Sequence, residues 1–126
     1  MENISIALYT YFKGLEKGDT YMVLDVFAEN ALIHSPLYGD VYARDFYTEA
    51  SAGMLQSDIA LLNIFESKEQ LNTAAVHFKY YMVLEDGTPA HFECVDIFKF
   101  DESGKIADMT IIYDTAKLRT AFEKIL

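Results

Sequence analysis

His91-Phe92-Glu93-Cys94-Val95-Asp96-Ile97-Phe98-Lys99-Phe100 alternates between two kinds of side chain with a period of two. Phe92, Cys94, Asp96, Phe98 and Phe100 share one face, and His91, Glu93, Val95, Ile97 and Lys99 share the other. This is the pattern of a strand with one face turned to a core, and Asp96 is the acid on that face. An unpaired buried carboxylate is costly, so Asp96 must find a partner or keep its proton. A protonated acid in apolar surroundings donates a hydrogen bond at neutral pH, and the functional question starts from that capability.

The strand has neighbours on both sides. Glu85-Asp86-Gly87-Thr88 is a hairpin signal joining a strand over Ala74–Leu84 to one over Pro89–Phe100. Asp101-Glu102-Ser103-Gly104 is a second turn, leading to a strand over Lys105–Tyr113, and Ile59–Phe65 reads as a strand before them. The first half reads as helix. Ile4, Leu8, Tyr11, Phe12 and Leu15 fall at helical spacing, with Gly18 as the stop. Asp19 is placed to cap a short second helix, with Met22, Val26 and Phe27 facing in and Asn30 closing it. A short strand from Ala31 to Ser35 ends at Pro36, and Tyr38-Gly39-Asp40 is a turn. A third helix runs from about Ala43 to Ala52. Leu118, Ala121, Phe122 and Ile125 mark a closing helix. Helices first and an antiparallel meander after predict one α+β domain over residues 1–126, with the N-terminal helices packed on one face of a curved antiparallel sheet.

Composition narrows the partners. The net charge of −10 repels phosphate backbones and anionic lipid surfaces, which argues against nucleic acid and membrane partners. Hydrophobic residues make up 52% of the chain, enough for a core, and the nine Tyr and nine Phe suit an apolar pocket or interface. Cys94 is the only cysteine, which excludes an intrachain disulfide and suits a reducing compartment. No apolar run approaches a membrane span and no secretory signal is visible, so the cytoplasm is the expected location. The three His and one Cys show no ligand spacing, so neither a metal nor a cofactor is expected.

Several short motifs, in order, resemble the nuclear transport factor 2-like superfamily, also called SnoaL-like or ketosteroid-isomerase-like. They are Lys17-Gly18-Asp19, Phe27-Ala28-Glu29-Asn30-Ala31, Ser35-Pro36-Leu37-Tyr38-Gly39 and Ala43-Arg44-Asp45-Phe46. Later come Val95-Asp96-Ile97-Phe98-Lys99-Phe100-Asp101-Glu102-Ser103-Gly104-Lys105-Ile106 and Ile112-Tyr113-Asp114. The resemblance implies a cone enclosing an apolar pocket. In ketosteroid isomerases a Tyr of the first helix and an Asp of the next-to-last strand form an oxyanion hole. Tyr11 and Asp96 match those two positions, Tyr47 matches a supporting Tyr, and Tyr113 matches a pocket aromatic. The general base of those isomerases, an Asp before the Pro of the first strand, is Ser35 here. A neutral hydroxyl cannot take a carbon-bound proton at pH 7, so steroid isomerisation by that mechanism is not expected. The superfamily's epoxide hydrolases use an interior Asp-Arg-Asp set, and both arginines here, Arg44 and Arg119, fall on predicted helices.

His77 depends on the hairpin. If Asp86-Gly87 is a two-residue turn, His77 lies opposite Asp96 on the inner face, with Lys79 and Tyr81, and is a candidate base oriented by Asp96. If Glu85-Asp86-Gly87 is a three-residue loop, Val76, Phe78 and Tyr80 face in instead. The expected catalytic set is Asp96, Tyr11 and His77. The expected ligand-binding set is Ser35, Tyr47, Phe92, Cys94, Met109 and Tyr113. His34 reads as a surface or second-layer residue, and His91 as an exposed partner of Glu93.

The resulting expectation is a pocket for a small, mostly apolar molecule bearing a carbonyl or hydroxyl, in a homodimer formed through the outer sheet face. An isomerase, cyclase or dehydratase, a binding protein without chemistry, and a pure interaction module all fit this reading. The Tyr11–Asp96 pair favours the first, and Ser35 in place of a carboxylate favours the second.

Overall fold

The computed structural model describes residues 2–50, 54–84 and 86–116. The chain runs α1 (Glu2–Lys17), α2 (Thr20–Leu24), β1 (Phe27–Ser35), β2 (Gly39–Tyr42), α3 (Ala43–Ala50), β3 (Met54–Glu66), β4 (Thr73–Leu84), β5 (Pro89–Phe100) and β6 (Ile106–Ile112). The six strands form one curved sheet in the order β2-β1-β6-β5-β4-β3. The α+β architecture is the one expected. The residues assigned to a closing helix, and Gly53, lie outside the described residues.

The first helix ends where the sequence places its stop. Gly18 adopts φ +68°, a conformation that only glycine enters without strain, and the α1 terminus closes through Asp19 N–H to Gly14 O at 2.9 Å. The Asp19 side chain accepts the Met22 N–H at 3.1 Å and so caps α2. That helix is shorter than its spacing suggests. It stops at Leu24, and Phe27–Asn30 is already strand, because Val26 and Phe27 are buried by the sheet and not by a helix face. The turn is Pro36-Leu37-Tyr38, and Gly39 and Asp40, read as turn residues in the sequence, already belong to β2, an edge strand not anticipated there.

β3 to β6 form the antiparallel meander, but β1 joins β6 in parallel, with Ile33 opposite Met109. The chain must cross through β2, α3 and three strands before it returns beside β1, and this route makes the two strands run in the same direction.

The β4–β5 register decides what the cone contains. Val83 pairs with Pro89, the register that goes with the longer loop and not with the two-residue turn, and Gly87 adopts φ +87°. Val76, Phe78, Tyr80 and Met82 therefore face in, and His77, Lys79 and Tyr81 face out. Side-chain burial selects this register. Each large apolar side chain removed from water contributes about 1.5–3 kcal/mol, whereas the slipped register would bury the Lys79 ammonium. α1 lies across this inner face. The Phe12 ring meets Phe78 edge-on at 4.9 Å and the Tyr11 ring meets Phe98 at 5.5 Å. α2 approaches α1 over Gly14, where a Cβ would lie 2.8 Å from Val23 Cγ2.

Candidate functional site

Asp96 stands in the middle of β5, between Val76 of β4 and Ile111 of β6, and is 2% exposed. Burial pushes its carboxyl up to about 7, opposed by the one hydrogen bond it accepts, from Cys94 Sγ to Oδ1 at 3.1 Å. The group is therefore poised between acid and carboxylate at neutral pH. Cys94 is driven the other way as a nucleophile. Burial, and then the neighbouring Asp96, raise its thiol pKa, so it stays protonated and inert.

Two phenols reach the same space from the helices. The Tyr11 hydroxyl, on α1, and the Tyr47 hydroxyl, on α3, are 2.5 Å apart, and Tyr47 Oη also lies 3.5 Å from Met109 Sδ. Both phenols are held well above their ordinary pKa. Burial is the main cause for each, with the negative potential of Asp96 adding to it. Both therefore remain donors. The hydroxyl of Tyr11 has Tyr47 as its partner and not Asp96, so the expected Tyr11–Asp96 pair is two donor groups facing one cavity and not a bonded pair.

The cavity has a volume of about 120 Å³. Asp96, Cys94, Phe78, Tyr80, Met82 and Phe92 line it from the sheet, Tyr11 and Tyr47 from the helices, and Ile111 and Tyr113 from β6 and the segment after it. Gly18, Asp19 and Tyr38 are its exposed lining residues. An apolar cavity of roughly 150 Å³ holds benzene, so this one fits a small ring or branched group without rearrangement.

The other expected residues divide. Ser35 lines the cavity, and its Oγ accepts the N–H of Leu37 at 3.2 Å and of Tyr38 at 3.1 Å, which leaves its own proton to donate. Phe92 and Tyr113 line it with rings 4.6 Å apart. Met109 is fully buried beneath Tyr47. His77 is a correction: its Nε2 meets Glu93 Oε2 at 2.6 Å on the outer face, so it does not reach Asp96. His91 consequently does not pair with Glu93 and instead meets the Tyr81 ring edge at 5.1 Å. His34 bridges two carboxylates, Nδ1 to Asp40 and Nε2 to Asp108, each at 2.8 Å, and ties β2, β1 and β6 together from outside. Phe78, Tyr80 and Met82 were legible only as one of two registers, although the apolar alternation Val76-Phe78-Tyr80-Met82 carried the signal. Among the described residues no group of three His, Cys, Asp or Glu side chains is arranged to hold a metal, and no helix is long and apolar enough to cross a membrane.

The family model of the SnoaL-like domain matches residues 8–109. The chain belongs to the SnoaL-like family. Solved structures share the fold. An NTF2-like protein of unknown function from Burkholderia pseudomallei superposes with a TM-score of 0.80 at 18% identity, covering 94% of this chain and 95% of that one. The epoxide hydrolase/cyclase-like enzyme SalBIII, of pyran ring formation in the polyether salinomycin, gives 0.77 at 18% identity over 90% and 92%. The pinacolase BvnE from Penicillium brevicompactum gives 0.79 at 15% identity over 97% and 90%. At such identities the likeness establishes the SnoaL-like fold and not a shared reaction. No curated protein matches the sequence.

Proposed function

We propose that this SnoaL-like protein binds a small, largely apolar molecule in the cavity and polarises a carbonyl or hydroxyl oxygen on it. The observation that carries this reading is the fully buried Asp96 carboxyl, beside the Tyr11–Tyr47 hydroxyl pair, in a cavity otherwise lined mostly by hydrocarbon. Protonated Asp96 donates one hydrogen bond to the ligand oxygen. When Tyr47 turns its proton toward Tyr11, the Tyr11 proton becomes the second donor. Two preorganised donors in a dry site stabilise an oxyanion more than the carbonyl it develops from, and that difference accelerates enolisation, cyclisation or dehydration. With His77 outside, the described lining supplies no general base beside protonated Asp96, so the proton is lost to solvent at the cavity mouth.

A second reading is a binding protein that does no chemistry, and Ser35 favours it. Its Oγ is already occupied by two backbone N–H groups, and a hydroxyl is no base at neutral pH. In both readings the protein is a homodimer through the outer sheet face, where Ile112, beside Val95, is 49% exposed and Phe65, in one row with Ala75 and Ile97, is 55% exposed. The buried free thiol of Cys94 suits a reducing compartment, and the cytoplasm is the proposed location.

The test is to extract and identify by mass spectrometry what co-purifies with the protein, then titrate it back. Tyr11→Phe is expected to weaken binding about fivefold to tenfold, the loss of one hydrogen bond, while His77→Ala leaves it within twofold. Recovery of an anionic ligand, or equal loss in both variants, would reject the site.

A further inference from the structure

Among the described residues no cation meets the Asp96 carboxyl. Its hydrogen-bond partner among the described residues is a thiol, a weak donor, and none of the described residues lining the cavity is Lys, Arg or His. The walls have the opposite character to an anion site. Tyr80 and Phe92 stack in parallel at 5.3 Å with 10° between their planes, and Phe92 continues to Tyr113 at 4.6 Å. Three rings thus form one side of the space, with Tyr11 and Tyr47 entering from the helices. The rings cover one another's faces, so the wall offers the space hydrocarbon and no group that would neutralise the Asp96 carboxylate.

The acceptors limit which cation fits. A primary ammonium has three N–H groups to satisfy. Asp96 is the buried strong acceptor of the described lining: Asp19, the other carboxylate, is exposed and caps α2, Ser35 Oγ already accepts twice, and the phenol oxygens of Tyr11 and Tyr47 are engaged with each other. A tertiary ammonium has a single N–H and otherwise presents alkyl groups. A volume of about 120 Å³ suits a cation the size of a small ring.

We propose that the cavity also takes a small tertiary ammonium, with its N–H on the Asp96 carboxylate and its alkyl groups against the wall of Tyr80, Phe92 and Tyr113. This rests on the reading above that the cavity is a ligand site, but it needs Asp96 in the other protonation state. The two ligand classes therefore separate by pH. The groups facing Asp96 from the packed elements are Tyr11 of α1, Tyr47 of α3, Tyr80 of β4 and Cys94 of β5, and all four stay neutral around pH 7 because burial raises their pKa values. Asp96 alone changes charge there.

The experiment is a pair of NMR titrations of the whole protein with N-methylpyrrolidine, cationic throughout the range, and cyclopentanone, a neutral ketone of similar size. From pH 6 to pH 8 the amine is expected to bind about tenfold more tightly and the ketone about tenfold more weakly. Asp96→Asn removes the charge and keeps an N–H donor. It is expected to cost the amine at least about tenfold and to flatten the pH dependence of both ligands between pH 6 and pH 8. The pH series on the native protein decides the matter if that variant does not fold. Amine binding that is flat with pH, or unchanged in Asp96→Asn, would overturn the counter-ion assignment. Ketone binding with no amine binding overturns this inference alone; the reverse leaves it standing and rejects the carbonyl reading; binding of neither rejects both.

Discussion

Val76 of β4 lies directly across the ladder from Asp96 of β5. That pairing places a fully buried valine, not a histidine, against the acid, and it leaves the inner face of β4 apolar around the Asp96 carboxyl. The energetics of the fold and the chemistry of the site both follow from it.

Stability should record the burial of Asp96. Its folded pKa lies near 7, well above the unfolded carboxyl, so the folded state binds the proton more tightly. The folded protein is favoured at low pH. That advantage is lost progressively as pH rises from about 4 to about 7, with a total of roughly 4 kcal/mol. Asp96→Asn should match the parent within about 1 kcal/mol at pH 4 and exceed it at pH 8 in denaturant melts of the unliganded protein. An unaltered pH slope in the variant would mean that the carboxyl ionises as easily folded as unfolded.

His34 should contribute a smaller, similarly directed term. Its pKa is raised by hydrogen bonds to Asp40 and then Asp108. The stabilisation is complete below the unfolded histidine value and fades as pH climbs through the raised one. The stability difference between parent and His34→Leu is expected to be larger at pH 6 than at pH 9. A difference independent of pH would show that the imidazole acts there by packing alone.

Gly14→Ala should destabilise the protein by about 1–3 kcal/mol, because the new methyl meets the Val23 side chain at 2.8 Å and its backbone nitrogen at 3.1 Å. Backbone atoms cannot rotate away, so α2 must shift, and its residues line the cavity. A thermal melt superimposable on the parent's would show that the α1–α2 contact is loose.

Ile97→Glu should convert a dimer into a monomer in light scattering at micromolar concentration. Ile97 sits mid-sheet on the outer face, flanked by Thr110 and Ala75, and a buried carboxylate at an interface centre costs several kcal/mol. A parent protein that is itself monomeric under those conditions would remove the dimer from the proposal.

The sequence by itself determined which residues of β5 face the core, since alternation at a period of two is local and needs no partner strand. It also determined the helix stop at Gly18 and the cap at Asp19, where backbone conformation and one side-chain acceptor act within a few residues. The face of β4 was not determined locally, because Glu85-Asp86-Gly87-Thr88 supports a loop of either length and one residue of slip exchanges the two faces. Only the packing of α1 against Val76, Phe78 and Tyr80 made that choice, and with it excluded His77 from the cavity. The partner of Tyr11 was likewise a tertiary decision. Tyr47 lies 36 positions away on a different helix, and the angle at which α3 meets the sheet brings the two hydroxyls together.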